Sequence, residues 1–260
     1  MRAHPLIVCL ALLAAAGAAR AQYGELKDLK IHKKADTEHV KSVPPPKGAV
    51  VLFDGKSLDG WVYRDKGKEN KARPAKWKLL DDGIMQVQGG DMHTEKTFEG
   101  KFKLHVEFRV PYEPGKKGQD RGNSGVYLQG RYEVQILDSY GIDKIGMGDC
   151  GSIYGVSIAK ENACKAPTIW QSYDIEFTSP KCKEGKIVEA GRMTVWLNGV
   201  KVHDDVPLKK KNKEGKEEFV TNTTAGMGGD PCKPGPIMLQ DHGHPVQFRN
   251  IWLLQLDDKK

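Results

Sequence analysis

The sequence contains no Cys-x-x-Cys pair and no long helical period. The missing cysteine spacing argues against a structural zinc site, because such sites gather closely spaced thiolates. The missing helical period favours a fold made of strands. Aromatic residues do not alternate with the lysine-rich stretch at 209–216, so this stretch indicates a solvated loop rather than a nucleic-acid surface.

Within the first 21 residues, the segment LIVCLALLAAAGAA at 6–19 is an apolar run that is too short to span a membrane comfortably, which takes about 20 apolar residues. Arg2 precedes the run, and Ala19-Arg20-Ala21 ends it as a small-x-small cleavage site. We therefore predict a secretory signal at 1–21, cut before Gln22, and a secreted or periplasmic protein with no stable membrane insertion. The alternative is an uncleaved anchor. Removing Arg2 and Arg20 leaves 39 basic against 34 acidic residues, so the charge falls from +7 to +5.

Four cysteines remain after the signal, at Cys150, Cys164, Cys182 and Cys232. An even number in an exported chain predicts two disulfides, with three possible connectivities. We favour Cys150–Cys164 and Cys182–Cys232, because each bond would close a loop rich in glycine and proline. No metal ligand set is predicted from these cysteines.

The composition changes at about residue 48. Residues 22–47 are charged and end in a proline run, which indicates a linker or an extended arm. Residues 48–258 contain short runs of β-branched and aromatic residues between turn-forming residues, in a chain with 29 glycines and 14 prolines. This pattern predicts one all-β domain, a two-sheet antiparallel jelly-roll sandwich.

Alternation along the strands separates an apolar face from a polar one. In the run 102–110 the apolar set contains Phe102 and Val106, and the polar set contains His105 and Glu107. The same alternation is present in the runs 131–137, 173–179, 192–198 and 236–242. Asn198-Gly199 predicts a two-residue hairpin turn. The apolar faces are expected to fill the space between two sheets, and the polar faces to point outward.

Amides, a phenol and carboxylates are concentrated in the run NSGVYLQGRYEVQILDSYG at 123–141. Glu133 and Gln135 lie on one face of one predicted strand, about 7 Å apart along it. Sugars offer hydroxyl edges and C–H faces, and carbohydrate sites usually meet them with such groups. The stretch therefore predicts a carbohydrate site on an outer sheet face.

Six motifs in order carry a resemblance to a known family: LFDGKSLDGW at 52–61, the run at 123–141, CGSIYG at 150–155, WQSYDIEF at 170–177, LNGVKV at 197–202 and LQDHGHPVQFRNIWL at 239–253. Together they closely resemble the 3-keto-disaccharide hydrolase domain family over about residues 48–257. The resemblance implies a concanavalin-like lectin/glucanase jelly roll. It also implies a 3-keto glycoside or disaccharide substrate, and an upstream oxidoreductase that forms the ketone.

A ketone at C3 acidifies the hydrogen at C2, so cleavage needs a base, an acid for the leaving oxygen and a group that stabilises the enolate. We predict Glu133 as one acid/base, with Glu107 as its alternative. His242 is the expected partner, because an imidazole exchanges protons near neutral pH. Arg249 or a bound metal would stabilise the enolate. The residues expected to bind substrate are Asn123, Tyr127, Gln135, Asp138, Gln240, His244 and Arg249.

Three further readings stay open. Asp174-Ile175-Glu176 has the alternate-carboxylate spacing of sandwich β-glucanases, although a third acid is missing after Glu176. A non-catalytic sugar-binding module is compatible with the same fold. Asp54-Gly55 and Asp138 could supply oxygen ligands to a divalent metal such as calcium, but no loop has a recognisable calcium pattern, and no cofactor is predicted with certainty.

Overall fold

The computed structural model describes Tyr23 and residues 26–64 and 72–256. The predicted signal at 1–21 lies outside these residues. The described part of the chain contains three short 3₁₀ turns, Lys34–Thr37, Asp81–Gly83 and Gly118–Asp120, and eighteen strands. In chain order the strands are β1 (Val50–Phe53), β2 (Trp61–Arg64), β3 (Ala72–Pro74), β4 (Lys78–Leu80), β5 (Ile84–Gln86), β6 (Met92–Phe98), β7 (Lys101–Arg109), β8 (Ser124–Leu128), β9 (Tyr132–Ile136), β10 (Gln171–Thr178), β11 (Lys181–Lys183), β12 (Lys186–Glu189), β13 (Arg192–Leu197), β14 (Val200–Pro207), β15 (Lys209–Lys211), β16 (Glu217–Phe219), β17 (Gly235–Leu239) and β18 (Gln247–Leu256).

Two large sheets contain most of these strands. Sheet A has eight strands in the order β14-β13-β10-β7-β18-β5-β4, with β1 also paired to β18, and sheet B has six in the order β3-β2-β6-β17-β8-β9. β11-β12 and β15-β16 form separate two-stranded ribbons. Every strand pairing in the described residues is antiparallel. The predicted all-β, two-sheet sandwich is confirmed.

The inner faces of the two sheets form one hydrophobic core. Sheet A contributes Phe102 and Phe177, whose rings lie 5.2 Å apart, and sheet B contributes Tyr132, whose ring is 5.7 Å from Phe177. All three side chains are fully buried. Burying such a side chain contributes about 1.5–3 kcal/mol, so these contacts between layers hold the two sheets face to face.

Strand alternation is confirmed where it was predicted. In β7, Phe102 and Val106 belong to the core, whereas His105 and Glu107 do not. Asn198 has a φ of 54° and Gly199 a φ of 82°, which are the left-handed conformations of a type I′ turn, and this turn joins β13 to β14.

Residues 26–46, here called the arm, lie against the body of the domain. The Val40 backbone N–H donates to the Trp170 carbonyl at 3.0 Å. Asn250 Nδ2 and Trp252 Nε1 both donate to the Val43 carbonyl, at 2.8 and 3.0 Å. The stretch expected to be a linker or an extended arm thus forms specific contacts with sheet A.

The cysteines divide into one disulfide and two thiols. Cys182 and Cys232 form a disulfide that connects β11 to the loop before β17, as predicted. Cys150 and Cys164 are buried free thiols that share a hydrogen bond. The Cys150–Cys164 disulfide predicted from the sequence is therefore absent, and noncovalent packing within the core holds this loop.

No helix in the described part of the chain has the length and apolar character needed to cross a membrane.

Candidate functional site

Polar side chains gather on the outer face of sheet B. The pairing of β2, β6, β17, β8 and β9 sets one row across this sheet, composed of Val62, His93, Met238, Tyr127 and Glu133. In the neighbouring row Gln135 lies opposite Gly125, whose carbonyl accepts the Gln240 backbone N–H at 3.0 Å. We call Glu133, Tyr127, Gln240, Gln135 and Asn123 the Glu133 cluster. Strand alternation brings them to one face, because their neighbours Val126, Leu128 and Val134 point into the core.

Glu133 is 3% exposed. Burial raises its pKa from 4.5 to about 7; a hydrogen bond with Tyr127 opposes this rise, and the nearby Asp91 carboxylate adds to it. Its backbone N–H donates to Thr223 Oγ1 at 3.2 Å, and its carbonyl accepts the Tyr154 backbone N–H at 3.1 Å. A carboxyl that changes protonation near neutral pH on a fixed strand is suited to acid–base work.

Tyr127 is fully buried beside Glu133. Burial and then the charge of Glu133 raise the pKa of its phenol, so the hydroxyl keeps its proton at neutral pH. Gln240 Nε2 donates to this hydroxyl at 3.1 Å. Tyr127 is therefore a neutral hydrogen-bond donor with a defined position.

Gly125 makes room for these groups. A Cβ at this position would lie 2.6 Å from Glu133 Oε1 and 2.9 Å from a ring carbon of Tyr127. Any side chain at this position would force the Glu133 carboxyl or the Tyr127 ring to move from its place over the β8 backbone. A glycine inside a strand often marks a close approach of this kind, which is the signal that could have identified it from the sequence.

Asn123 and Gln135 are connected through Gln119, in the 3₁₀ turn Gly118–Asp120. Asn123 Nδ2 and Gln135 Nε2 lie 3.2 and 3.1 Å from Gln119 Oε1. Asn123 and Gln135 are 2% and 1% exposed. Gln119 was not predicted, because nothing in its sequence surroundings distinguishes it from other polar loop residues.

Asp138 follows β9 and is held by other parts of the protein. Arg121 Nε lies 3.2 Å from its Oδ2, and its Oδ1 accepts the Tyr140 backbone N–H at 3.3 Å. Burial raises the pKa of Asp138 to about 6, although Arg121 and the Tyr140 N–H favour its charged form. These contacts are those of a turn-capping carboxylate, and they leave its predicted role in substrate binding unsupported.

Glu107 and Arg249 lie on the outer face of sheet A, which is the other outer face of the sandwich. Arg249 Nε donates to Glu107 Oε2 at 2.6 Å, and Asn250 Nδ2 and Ser42 Oγ donate to Glu107 Oε1 at 2.7 and 2.5 Å. Burial works to raise the pKa of Glu107, but hydrogen bonds from His105 and these three groups outweigh it and lower the pKa to about 2. The structure does not bring Glu107 or Arg249 to the Glu133 cluster, so neither takes its predicted role in the reaction there. Alternation identified Glu107 as outward-facing but could not tell which sheet carries it, and Arg249 lies outside the runs whose alternation was assigned.

The two histidines lie in the turn after β17, directly beyond Gln240. His242 is exposed, and its ring is parallel to that of His244 at 6.2 Å. His244 is buried, with its Nδ1 2.7 Å from Glu113 Oε2. β17 pairs with β8, so this turn belongs to the same sheet as Glu133. His244 is engaged by the loop 113–122, whereas the His242 ring is open to solvent.

Asp174 and Glu176, the carboxylates of the glucanase-like alternative, face outward from sheet A. Asp174 contacts Lys103 Nζ at 3.1 Å and His105 Nδ1 at 3.2 Å. Burial opposes ionisation of Asp174, but His105 and Lys103 outweigh it and lower the pKa. A carboxylate held in its charged form by two basic groups does not suit the proton donor that a glycosidase needs.

The two aspartates proposed as metal ligands are each paired with a basic side chain. Lys56 Nζ lies 2.9 Å from Asp54 Oδ2, and Arg121 contacts Asp138. Among the residues that the structure describes, no group of three or more histidine, cysteine or acidic side chains is arranged to hold a metal ion. Calcium binding stays a prediction from the sequence that these two residues do not support.

A two-sheet β-sandwich with a carboxyl, a phenol and amides on one outer sheet face is an arrangement typical of carbohydrate-active proteins. The family model for the 3-keto-alpha-glucoside-1,2-lyase-like domain matches residues 48–254, and the chain belongs to this family.

Individual relatives agree with this assignment. The chain is 24% identical to a 3-keto-disaccharide hydrolase of Bacteroides thetaiotaomicron, over 86% of this chain and 84% of that protein. A crystal structure of a candidate glycosyl hydrolase from Parabacteroides distasonis shares 35% identity, with a TM-score of 0.65 over 86% of this chain and 97% of that one. A second such structure from the same organism, at 23% identity and a TM-score of 0.54, covers 80% and 99% of the two chains and bears on the fold alone. The family and these relatives support a carbohydrate-active enzyme of the glycosyl hydrolase type.

Proposed function

We propose that this protein is an exported enzyme that cleaves glycosides carrying a ketone at C3. The observation that supports this most is Glu133, a buried carboxyl with a pKa of about 7, hydrogen-bonded to the neutral phenol of Tyr127 on the outer face of sheet B. Family membership directs the choice of substrate class.

The proposed reaction starts with transfer of the C2 proton to the Glu133 carboxylate. The C2–H electron pair forms an enolate with C3, and the enolate expels the oxygen substituent at C1 to leave a C1=C2 double bond. The leaving oxygen takes a proton, for which the exposed imidazole of His242 is the proposed donor. Addition of water then places a hydroxyl on C1 and a proton on C2, so the overall change is hydrolysis.

Tyr127 takes the role first assigned to Arg249. Because its pKa is raised, the phenol stays protonated. In the resting site its one O–H donates to the Glu133 carboxylate, and once Glu133 has taken the C2 proton this O–H turns to the enolate oxygen. Gln240 Nε2, which donates to the phenol oxygen at 3.1 Å, strengthens this donor and fixes its direction. A positioned acid–base group typically contributes about 10²–10⁴-fold to the rate.

The substrate requires prior chemistry. Ordinary glucosides have an alcohol at C3, so an oxidoreductase that oxidises this carbon must act before the enzyme does. We propose that both reactions belong to one route of sugar breakdown.

The test is incubation of the protein with a 3-keto glucoside, following release of the aglycone and absorbance of the conjugated enone. Glu133→Gln is expected to lower turnover at least about 100-fold. Glu176→Gln, the same chemical change on the outer face of sheet A, is the matched control and is expected to keep wild-type turnover. Binding of the glucoside without turnover by the wild type would indicate a sugar-binding module, and turnover of an unoxidised β-glucan would indicate a glucanase.

A further inference from the structure

Three carboxamides, Gln119, Asn123 and Gln135, form one hydrogen-bonded group beside Glu133, here called the amide triad. Gln119 is exposed in its 3₁₀ turn, whereas Asn123 and Gln135 are almost fully buried. Both buried amide nitrogens contact the same atom, Gln119 Oε1. The two buried amides are therefore close neighbours.

Main-chain carbonyls show which end of each amide is the NH₂ group. Asn123 Nδ2 donates to the Gln119 carbonyl at 2.8 Å. Gln119 Nε2 and Gln135 Nε2 both donate to the Gly148 carbonyl, at 2.8 and 3.2 Å. A carbonyl only accepts hydrogen bonds, so each of these contacts must be made by the NH₂ end of the amide. A flipped amide would place two oxygens against each other.

This orientation leaves two acceptors without a protein partner. Asn123 Oδ1 and Gln135 Oε1 are both buried, and neither has a hydrogen-bond partner among the described residues. Leaving a buried acceptor unsatisfied costs about 1–3 kcal/mol. Two such oxygens beside Glu133 are suited to a ligand that brings hydroxyl donors.

We propose that Gln119 is a positioning residue that aims the Asn123 and Gln135 oxygens at two hydroxyl groups of one sugar ring. The site then selects rings in which both hydroxyls are present and unsubstituted, since a missing or alkylated hydroxyl leaves a buried oxygen without a donor. This inference rests on the proposed function for the identity of the ring. It adds that the site recognises two of the ring's hydroxyl groups.

The experiment is a double-mutant cycle in which one change is made in the protein and the other in the substrate. kcat/KM is measured for a 3-keto glucoside and for its 4-deoxy and 6-deoxy analogues, with wild type and with Gln119→Ala. In the wild type, loss of a recognised hydroxyl is expected to reduce kcat/KM about 10–100-fold, which corresponds to the cost of one unsatisfied acceptor. Gln119→Ala removes the side-chain acceptor shared by Asn123 and Gln135 and leaves each amide with one main-chain carbonyl, so both are held less firmly. The penalty is therefore expected to shrink at least about fivefold, mainly through a higher KM for the parent glucoside.

Two variants separate positioning from general damage. Gln119→Glu keeps an oxygen that accepts from both buried amides, while its second oxygen must turn away from the Gly148 carbonyl into solvent. It is expected to retain more of the discrimination than Gln119→Ala does. Lys117→Ala, in the same exposed turn, is expected to keep the wild-type penalty. An equal penalty in wild type and Gln119→Ala, or no penalty for any deoxy analogue in the wild type, would overturn the inference.

Binding measurements distinguish this inference from the proposed reaction. If the wild type does not turn over the 3-keto glucoside, the proposed function fails, and calorimetric titration with the same glucosides takes the place of kcat/KM. A deoxy penalty in affinity that shrinks in Gln119→Ala would uphold the inference alone. Absence of binding would overturn both.

Discussion

The pKa of Glu133 leads to a stability effect that Glu133→Gln should remove. The pKa rises from 4.5 to about 7 on folding, mainly through burial. Between these values the folded protein keeps a proton that the unfolded chain has lost. The contribution of this group to stability is therefore fully present below about pH 4.5 and is lost as pH rises to about 7. A change of this size corresponds to about 3 kcal/mol.

The amide of Glu133→Gln has no proton to lose, so the variant escapes this penalty. Relative to wild type, its free energy of unfolding is expected to increase by about 3 kcal/mol between pH 4.5 and pH 8. Titrating groups that do not interact with Glu133, including Asp138 with its pKa of about 6, are present in both proteins and cancel in the difference. Turnover and stability thus change in opposite directions at pH 8.

Urea denaturation at several pH values measures this difference directly. Glu176→Gln is the matched control, and its difference from wild type is expected to change by less than about 0.5 kcal/mol over the same range. If the difference in unfolding free energy between Glu133→Gln and wild type does not depend on pH, the assignment of a neutral, buried carboxyl is refuted. If the unfolding free energy of Glu133→Gln instead falls relative to wild type as pH rises, Glu133 is held in its charged form.

Three other substitutions test the surroundings of the site and the stability of the domain that supports it. Gly125→Ala places a Cβ 2.6 Å from the Glu133 carboxyl, so kcat is expected to fall about 10–100-fold, and wild-type kcat would contradict this packing. Glu107→Gln removes the buried carboxylate charge that pairs with the half-buried Arg249 guanidinium on sheet A, and urea denaturation should show a loss of about 1.5–3 kcal/mol with kcat kept in the folded protein. A loss below about 1 kcal/mol would mean that the pair is not structural. Cys182→Ser opens a loop of 50 residues closed by Cys232, for which about 4 kcal/mol of lost stability is expected. An unchanged unfolding free energy would mean that the bond does not form.

Strand periodicity predicted the layers and the inward or outward direction of side chains. The core positions of β7, β9 and β10 follow from alternation alone, because a half-buried strand repeats every two residues. The turn at Asn198-Gly199 follows equally directly from its two residues.

The same periodicity could not assign strands to sheets. A two-layer sandwich has two outer faces, and alternation gives no information about which one a polar residue reaches. Glu133 and Glu107 look alike in sequence, yet one lies on sheet B and the other on sheet A. The assignment depends on pairings such as β17 with β8, which join residues more than 100 positions apart.

Contacts made by single side chains could not be predicted from the sequence either. The arm is held by isolated hydrogen bonds, such as that from Asn250 Nδ2 to the Val43 carbonyl, and these leave no periodic pattern. Gln119 is held by the Gly148 main-chain carbonyl, whose position depends on the finished fold. The Cys150–Cys164 pairing was inferred from an even cysteine count, which does not report whether two neighbouring thiols are joined.

Glu133 is proposed to remove the C2 proton of a 3-keto glycoside on the outer face of sheet B. A 3-keto glucoside labelled with deuterium at C2 tests it most directly, by the rate at which the label is lost to water under turnover. Proton removal by Glu133 predicts rapid loss of the label with wild type and with Glu176→Gln, and loss at least about 100-fold slower with Glu133→Gln. Cleavage that retains the label, or label loss that continues at the wild-type rate in Glu133→Gln, would contradict it.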